Sequence, residues 1–268
     1  MKNFELPYNF DPEWFRCLEI VKDRWDKIDC VYLPCFTDDG ESHNTRENIL
    51  RHKPKDWNDY VEHVQQIQSY GLNIKALCQW NATIDIIEKH MSIGINMFTL
   101  NDDELAKHLK DKFGNKIKLT LSCTRKITPE ELNTLDLSMY DIICLPFWYN
   151  RHLSVVNNLP DKYKYSIIVN TTCLWNCPWC EKHWKGDNSV SKNCIKIRGG
   201  LFKPCDMNVI ANIRPEDIDL FEVETFKLEG REFPSNIIFM NFDFYSQRKS
   251  FRQISGFNEE DIRSNYDK

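Results

Sequence analysis

The chain has 268 residues, a net charge of −5 and a hydrophobic fraction of 41%. This composition excludes a disordered chain and is sufficient for one large α/β domain, and the negative charge argues against wholesale nucleic-acid binding. No apolar run approaches the roughly 18–20 residues that span a bilayer, so we expect no membrane segment.

Strand and helix patterns then alternate along the chain. Short runs rich in β-branched and aromatic residues predict eight strands, near residues 4–7, 29–33, 73–78, 95–99, 116–121, 141–145, 165–169 and 224–228. Apolar residues at helical spacing predict helical segments between these strands and a final helix that starts near Ser235. Asp11 and Pro12 predict one helix start, Asn101 predicts another, and residues 128–131 have the capping-box pattern.

This alternation predicts the fold. Strands separated by helices pair in parallel, and eight repeats are the number that closes a barrel. We therefore expect one (β/α)8 TIM-type barrel domain over residues 1–268. One connection, residues 171–213 after the seventh strand, is far longer than the usual roughly two to six residues. Long excursions at the C-terminal face of a barrel are usually functional, because barrel active sites lie there.

The strongest chemical signal lies in this excursion. Cys173, Cys177 and Cys180 follow the seventh strand at C-x3-C-x2-C spacing, a strong local excess in a chain with 11 cysteines. Two or three intervening residues let the backbone wrap a metal, and soft thiolates select iron–sulfur clusters, zinc or copper(I). We expect an iron–sulfur cluster rather than zinc. The odd cysteine count and the lack of a signal peptide favour reduced thiols and a cytoplasmic protein.

A four-iron cluster needs a fourth ligand. Cys205 is the first choice because it lies in the same excursion, with Cys194 and Cys35 as alternatives, and His183 could also ligate. Without a fourth protein ligand, the open iron would be the reactive position. Four other cysteines are typical of small buried hydrophobes: Cys17, Cys30, Cys78 and Cys144. Cys123 stands at a strand end, from which it could reach the barrel mouth.

The predicted strand ends place polar and aromatic residues around that mouth. Candidate substrate-binding residues there are Trp148, Asn170 and Asn81. Glu229 and Arg231 follow the eighth strand, beside the cysteine loop, and are the candidate catalytic residues. Arg231 suits an anchor for a substrate carboxylate or phosphate, because its guanidinium is always charged and binds oxyanions through two nitrogens. The alternative role for Arg231 is an ion pair with Glu229 or Glu216 that holds the strand end.

The chain also resembles the peptidase family U-thirty-two, the collagenase-like peptidases. The segments that carry the resemblance are D-C-V-Y-L at 29–33, F-T-L-N-D at 98–102, the cysteine loop at 170–183, I-R-P-E-D at 213–217 and F-K-L-E-G-R at 226–231. The last segment is close to the family's F-K-I-E-G-R. The tight C-x3-C-P-x-C loop replaces the family's usual glycine-and-cysteine signature after the seventh strand, as in a divergent branch.

The resemblance implies a barrel that holds a [4Fe–4S] cluster on cysteines. Several family members perform oxygen-independent hydroxylation of RNA bases or a quinone precursor, so we expect an enzyme that modifies a small-molecule or RNA-borne substrate, with an unidentified electron donor. Two alternatives use the same cysteines. Radical S-adenosylmethionine enzymes share the spacing but usually place it after the first barrel strand. A non-catalytic zinc or iron–sulfur protein would use the loop only to close the barrel mouth.

Overall fold

A computed structural model describes residues 3–36, 52–78, 82–171, 173–180, 182, 187, 189 and 211–249. Within these ranges, eight parallel strands pair in chain order, and the eighth pairs with the first to close a barrel. The strands are β1 (Asn3–Pro7), β2 (Ile28–Pro34), β3 (Ile74–Leu77), β4 (Met97–Leu100), β5 (Lys118–Leu121), β6 (Ile142–Leu145), β7 (Tyr165–Ile168) and β8 (Thr225–Lys227). All eight predicted strands are present, with ends within two residues of the prediction.

Helices connect the strands on the outside of the barrel. The α-helices are α1 (Trp14–Ile20), α2 (Trp57–Ser69), α3 (Ile84–Ser92), α4 (Asp103–Phe113), α5 (Pro129–Thr134), α6 (Leu153–Val156) and α7 (Ser235–Ser246). Shorter 3-10 helices are Lys22–Lys27, Gly114–Lys116, Phe147–Arg151 and Pro215–Leu220. The predicted (β/α)8 barrel is thus confirmed, with a 3-10 helix as the described helix between β7 and β8. None of the described helices is both long enough and apolar enough to cross a membrane.

Aromatic side chains close the ring of helices where the chain's first and last described helices meet. Trp14 in α1 is fully buried, and its indole nitrogen donates a hydrogen bond to the Pro7 carbonyl at 3.0 Å. The same ring lies edge-on to Phe239 of α7, with ring centres 5.0 Å apart. On β1, the Phe4 ring packs edge-on against Phe242 of α7 at 5.8 Å. These contacts bury the outward face of β1 against both helices.

The inside of the barrel is unusually polar. Strand side chains alternate between two faces, and outward residues such as Phe98, Leu119 and Ile167 belong to the apolar core beneath the helices. The buried residues that alternate with them include Glu5, Lys75, Thr99, Thr120, Ser166, Thr225 and Lys227. Barrel interiors are usually filled by branched aliphatic side chains. Here the ammonium of Lys75 on β3 lies 2.6 Å from the carboxylate of Glu5 on β1, across β2.

The predicted start of the first helix is wrong. Residue Phe10 adopts a φ of 57°, and the helix begins only at Trp14, with Glu13 as its N-cap. The Asp11 carboxylate accepts a hydrogen bond from the Glu13 nitrogen at 3.0 Å. It also accepts from the backbone nitrogen and the hydroxyl of Ser235, at 3.1 and 2.9 Å. Asp11 therefore ties the loop after β1 to the start of α7, more than 200 residues away in sequence.

Of the other two predicted helix starts, one lies one residue later than predicted and one is present as predicted. The cap of α4 is Asp102 rather than Asn101, because the Asp102 carboxylate is the group that accepts from the backbone nitrogen of Leu105, at 3.0 Å. The capping box of α5 is present as predicted. The Thr128 hydroxyl accepts from the Glu131 nitrogen at 3.2 Å, and the Glu131 carboxylate accepts from the Thr128 nitrogen at 2.7 Å.

Candidate metal centre at the barrel mouth

A buried asparagine joins the two ends of the excursion that follows β7. The Asn150 side-chain nitrogen, in the 3-10 helix after β6, donates to the Ile168 carbonyl at 2.6 Å and the Ala211 carbonyl at 2.5 Å. The Ala211 nitrogen in turn donates to the Cys173 carbonyl at 2.7 Å. Residues 173 and 211 are therefore neighbours, and the excursion leaves and re-enters the barrel through a closed neck.

A tyrosine from the last helix supports the same neck. The Tyr245 hydroxyl lies 2.6 Å from the Ile213 carbonyl and 3.2 Å from the Val169 carbonyl, and donates its proton to the nearer one. The Ile213 nitrogen donates to the Val169 carbonyl at 2.8 Å. Sequence patterns did not single out Asn150 or Tyr245, because both side chains act on carbonyls that are distant in sequence.

We expect Asn150→Ala to lower the free energy of unfolding by about 2–4 kcal/mol, because two buried carbonyls lose their donor. Urea unfolding measures this change. Asn133→Ala is the matched control, because Asn133 is exposed and bonds only the Pro129 carbonyl of its own helix; it should change the free energy by less than about 0.5 kcal/mol. Equal effects of the two substitutions would contradict the role of Asn150 at the neck.

The three predicted metal-binding cysteines lie just beyond this neck. Cys173, Cys177 and Cys180 are half-buried thiols that form no disulfide among the described residues. The Cys173 nitrogen donates to the buried Thr171 hydroxyl at 3.1 Å, and the Cys180 nitrogen donates to the Cys177 carbonyl at 3.4 Å. Cys173 and Cys180 pack against a group of side chains that we call the mouth cluster. The mouth cluster consists of Cys123, Cys144, Phe147, Ile168 and Ala211.

The donor set and its spacing fit an iron–sulfur cluster. Among the described residues, the one group of three metal-ligand atoms that all lie within 4.8 Å of one another is Glu5, Asp29 and Cys30. At least two of the three loop sulfurs therefore lie more than 4.8 Å apart. A single zinc ion, with zinc–sulfur bonds of about 2.3 Å, would hold its sulfurs closer together. In a [4Fe–4S] cluster each thiolate binds a different iron, so its ligand sulfurs lie farther apart than those around one zinc ion. The Glu5 group needs no metal, because Lys75 supplies its cation.

The structure separates one alternative fourth ligand from this centre. Cys35 belongs to the core beneath the helices, and its sulfur lies 3.5 Å from Nε2 of His90. That nitrogen also accepts a hydrogen bond from the Phe36 nitrogen at 3.2 Å. The other sequence candidates, Cys205, Cys194 and His183, lie outside the described residues.

Two thiols of the mouth cluster contact each other. Cys144 is buried as predicted, but it hydrogen-bonds Cys123 at the mouth instead of serving only as an apolar filler. The hydrogen bond from Cys123 lowers the pKa of the Cys144 thiol to about 7 in spite of burial, and the charge of Lys227 lowers it further. The same hydrogen bond and burial raise the pKa of Cys123. The spacing of cysteines along the sequence does not predict this contact, because Cys123 follows β5 and Cys144 lies on β6.

A pocket of about 300 Å³ opens beside the cysteine loop. Its lining combines the loop after β5, the 3-10 helix after β6 and the cysteine loop itself. Cys177, Cys180 and Trp148 all line it, so the structure brings one predicted substrate-binding residue next to two predicted metal ligands. Trp148 stacks on His152 with ring centres 3.7 Å apart, and His152 lies edge-on to Trp175 of the cysteine loop at 5.6 Å.

The remaining predicted site residues form a second group, on β7, β8 and β2. Asn170 donates to the Glu229 carbonyl at 2.9 Å and accepts from the Glu229 nitrogen at 2.6 Å, so its side chain extends the pairing of β7 with β8. The Arg231 guanidinium lies 5.8 Å from the ring centre of Tyr32, and the Lys227 ammonium lies 4.3 Å from it. These residues are not part of the pocket lining. Asn81 lies outside the described residues.

The fold and the mouth define a (β/α)8 barrel with a thiol-rich C-terminal face. No family model matches the chain. Over 172 residues, 56% of the chain, the sequence is 24% identical to the uncharacterized protease MJ1657 of Methanocaldococcus jannaschii, and the match spans 48% of that protein. The chain thus matches about half the length of this curated relative.

A solved structure shows the same architecture. The U32 peptidase Mk0906 aligns with a TM-score of 0.56 and 14% identity, over 87% of this chain and 95% of that chain. A glycerophosphodiester phosphodiesterase from Agrobacterium tumefaciens str. C58 aligns with a TM-score of 0.46 and 9% identity, over 89% of this chain and 100% of that chain. The protease relative and the U32 structure confirm the resemblance to the peptidase family U-thirty-two (U32) that the sequence predicted.

Proposed function

We propose that this chain is a U32-type barrel enzyme that binds an iron–sulfur cluster on Cys173, Cys177 and Cys180. The proposed reaction is an oxygen-independent modification, such as hydroxylation, of a small-molecule or RNA-borne acceptor. The observation that carries the proposal is the position of the thiols: they leave the C-terminal mouth of the barrel, and two of them line a pocket. Active sites of barrel enzymes lie at that face.

Each part of the mouth has a role in this proposal. The cluster, when bound, would supply one-electron redox chemistry. Trp148 and Trp175 line the pocket with flat aromatic surfaces, which suit a ring-bearing acceptor and exclude water. Asn150 fixes the neck of the excursion, so the thiols keep their position relative to the pocket. Among the described residues that line the pocket, none is a carboxylate or a histidine, and the proposal does not include peptide hydrolysis.

Anaerobic purification followed by iron, sulfide and zinc analysis tests this proposal. We expect brown protein with about four irons and four sulfides per chain, if the cluster is of the four-iron type. Stoichiometric zinc without sulfide would contradict the proposal and favour a structural metal site. Reductive cleavage of S-adenosylmethionine by the iron-loaded protein would contradict it in favour of a radical enzyme.

A separate prediction concerns Arg231, which follows β8 outside the pocket lining. Its proposed role is to anchor an acidic group of the acceptor that extends beyond the pocket. We expect Arg231→Ala to weaken binding of a carboxylate or phosphate probe by about 30-fold or more, because it removes a charged two-nitrogen donor. Binding of benzoate and of inorganic phosphate, followed by tryptophan fluorescence, measures this loss. Arg16→Ala is the control, because the Arg16 side chain is 80% exposed on α1 and pairs only with Glu13.

The anchor role requires that iron content and melting temperature stay unchanged in Arg231→Ala. A variant that unfolds or loses iron would show instead that Arg231 holds the end of β8. A conservative variant, Arg231→Lys, separates charge from geometry, because lysine keeps the charge but lacks the planar pair of donors. We expect its probe affinity to lie between those of the native protein and Arg231→Ala.

A further inference from the structure

Five thiols converge on the C-terminal mouth of the barrel. Cys173 and Cys180 pack against the mouth cluster, Cys177 and Cys180 line the adjoining pocket, and the mouth cluster itself contains Cys123 and Cys144. Only three of these thiols belong to the C-x3-C-x2-C loop. The other two are Cys123, which follows β5, and Cys144, which lies within β6. These two strands lie side by side in the barrel.

A local turn explains why the Cys123 thiol reaches the mouth. On β5, Leu119 and Leu121 face the helices, and simple alternation would send the side chain of residue 123 the same way. The chain instead turns after Ser122: the Ser122 hydroxyl accepts from the Thr124 nitrogen at 3.2 Å, and the Ser122 carbonyl accepts from the Arg125 nitrogen at 3.1 Å. This turn moves Cys123 out of the helix-facing core and into the mouth cluster.

Cys144, the neighbour of Cys123 in the mouth cluster, is placed to support the Cys123 side chain. Cys144 lies within β6 and aligns with Ser166 of β7, one layer deeper in the barrel than the strand ends. It is 2% exposed, against 7% for Cys123, and it packs with Cys123 in the mouth cluster. Hydrogen bonds to a ligating sulfur orient the ligand and tune the metal centre.

We propose that Cys123 supplies the fourth thiolate of the centre formed by Cys173, Cys177 and Cys180. Cys144 is then a positioning residue, which packs beside Cys123 and donates a hydrogen bond to its sulfur once Cys123 has lost its proton. The inference rests on the proposed function. Ligation replaces the Cys123 S–H bond by a sulfur–iron bond and releases one proton to solvent, with no change in oxidation state. A ligand just after a barrel strand is held in place by the barrel itself, which favours a fixed position for its sulfur.

Single substitutions test this assignment against the excursion cysteines. We expect Cys123→Ser, after anaerobic reconstitution, to lose about one iron of four or the whole cluster, and to change the electron paramagnetic resonance spectrum of the reduced protein. Cys205→Ser and Cys194→Ser should keep the native iron and sulfide content. Cys144→Ser should also keep the native iron content, because serine retains a hydrogen-bond donor for the Cys123 sulfur.

Native iron content in Cys123→Ala, or loss of iron in Cys205→Ser or Cys194→Ser instead, would overturn the assignment. Failure of the proposed function is distinguishable, because native protein would then contain no iron or sulfide. If native protein holds zinc, zinc content of the same variants tests the ligand role. Misfolding is checked by the melting temperature of the metal-free proteins, and Cys123→Ala provides a second variant in which no oxygen can replace the sulfur ligand.

Discussion

Lys75→Met should lower the free energy of unfolding by about 3–5 kcal/mol, because it leaves the Glu5 carboxylate as an unpaired charge inside the barrel. Lys75 and Glu5 are both fully buried, and their charged atoms lie 2.6 Å apart. Burial alone would raise the pKa of Glu5, but the charges of Lys75 and Lys227 outweigh burial and hold the pKa of that carboxyl below its usual value. Chemical unfolding at pH 7 measures the loss.

A double-mutant cycle shows whether the loss comes from the unpaired charge. The double variant Glu5→Gln/Lys75→Met removes both charges and should cost much less than Lys75→Met alone. Lys112→Met is the surface control: its ammonium lies 2.6 Å from Glu88, but both side chains are more than 40% exposed, so the cost should not exceed about 1 kcal/mol. A cost for Lys75→Met no larger than this would contradict the prediction.

The ion pair also sets a pH window for stability. The pKa of Glu5 is lowered on folding. The stability that the ionised Glu5 adds is therefore complete above the ordinary pKa of 4.5 and is lost as the pH falls through the folded-state pKa. Burial alone would lower the pKa of Lys75, but the Glu5 carboxylate outweighs burial and raises the pKa of Lys75. The stability that the charged Lys75 adds is therefore complete below the ordinary pKa of 10.5. Between pH 4.5 and 10.5, the stability difference between native protein and the double variant should therefore stay constant.

The second large effect concerns the cysteine loop. Cys173→Ala, Cys177→Ala and Cys180→Ala should each abolish or nearly abolish iron binding, because removal of one of three clustered thiolates leaves too few ligands at the mouth. Iron and sulfide analysis of anaerobically reconstituted protein, with the visible absorption spectrum, measures the loss. The fold should survive in all three variants, because the thiols lie on the described loop beyond the barrel strands.

Cys17→Ala is the matched control for these variants. Cys17 is also a partly buried thiol, but it lies on α1, outside the mouth cluster. The Cys17→Ala substitution should leave the iron and sulfide content unchanged. Full iron content in any of the three loop variants would remove that residue from the ligand set.

Much of the fold could be predicted from sequence, because its signals are local. The eight strands appear as short β-branched runs, and every strand end falls within two residues of its prediction. The capping box at Thr128 and Glu131 uses groups three residues apart, so its pattern is visible in the sequence. The C-x3-C-x2-C spacing is likewise local, and it already marked the excursion as the candidate metal site.

Other features depend on contacts between distant residues, so only the tertiary structure decided them. Asp11 is a residue type that often caps helices, and its carboxylate does bond the nearby Glu13 nitrogen, but it also bonds Ser235 at the start of α7. Asn150 reaches carbonyls 18 and 61 residues away. The Lys75–Glu5 pair spans 70 residues of sequence.

The candidate site also combines features that the sequence predicts with features that only the tertiary structure decides. By itself, the sequence determined a barrel with three thiols after its seventh strand and a resemblance to the U32 peptidases. The tertiary structure decided which side chains share a space with those thiols: it placed Cys123, Cys144 and Trp148 beside the loop, and Cys35 beneath the helices. The physical reason is that spacing along the chain determines local geometry, whereas the closure of the barrel brings the ends of separate strands together at one mouth.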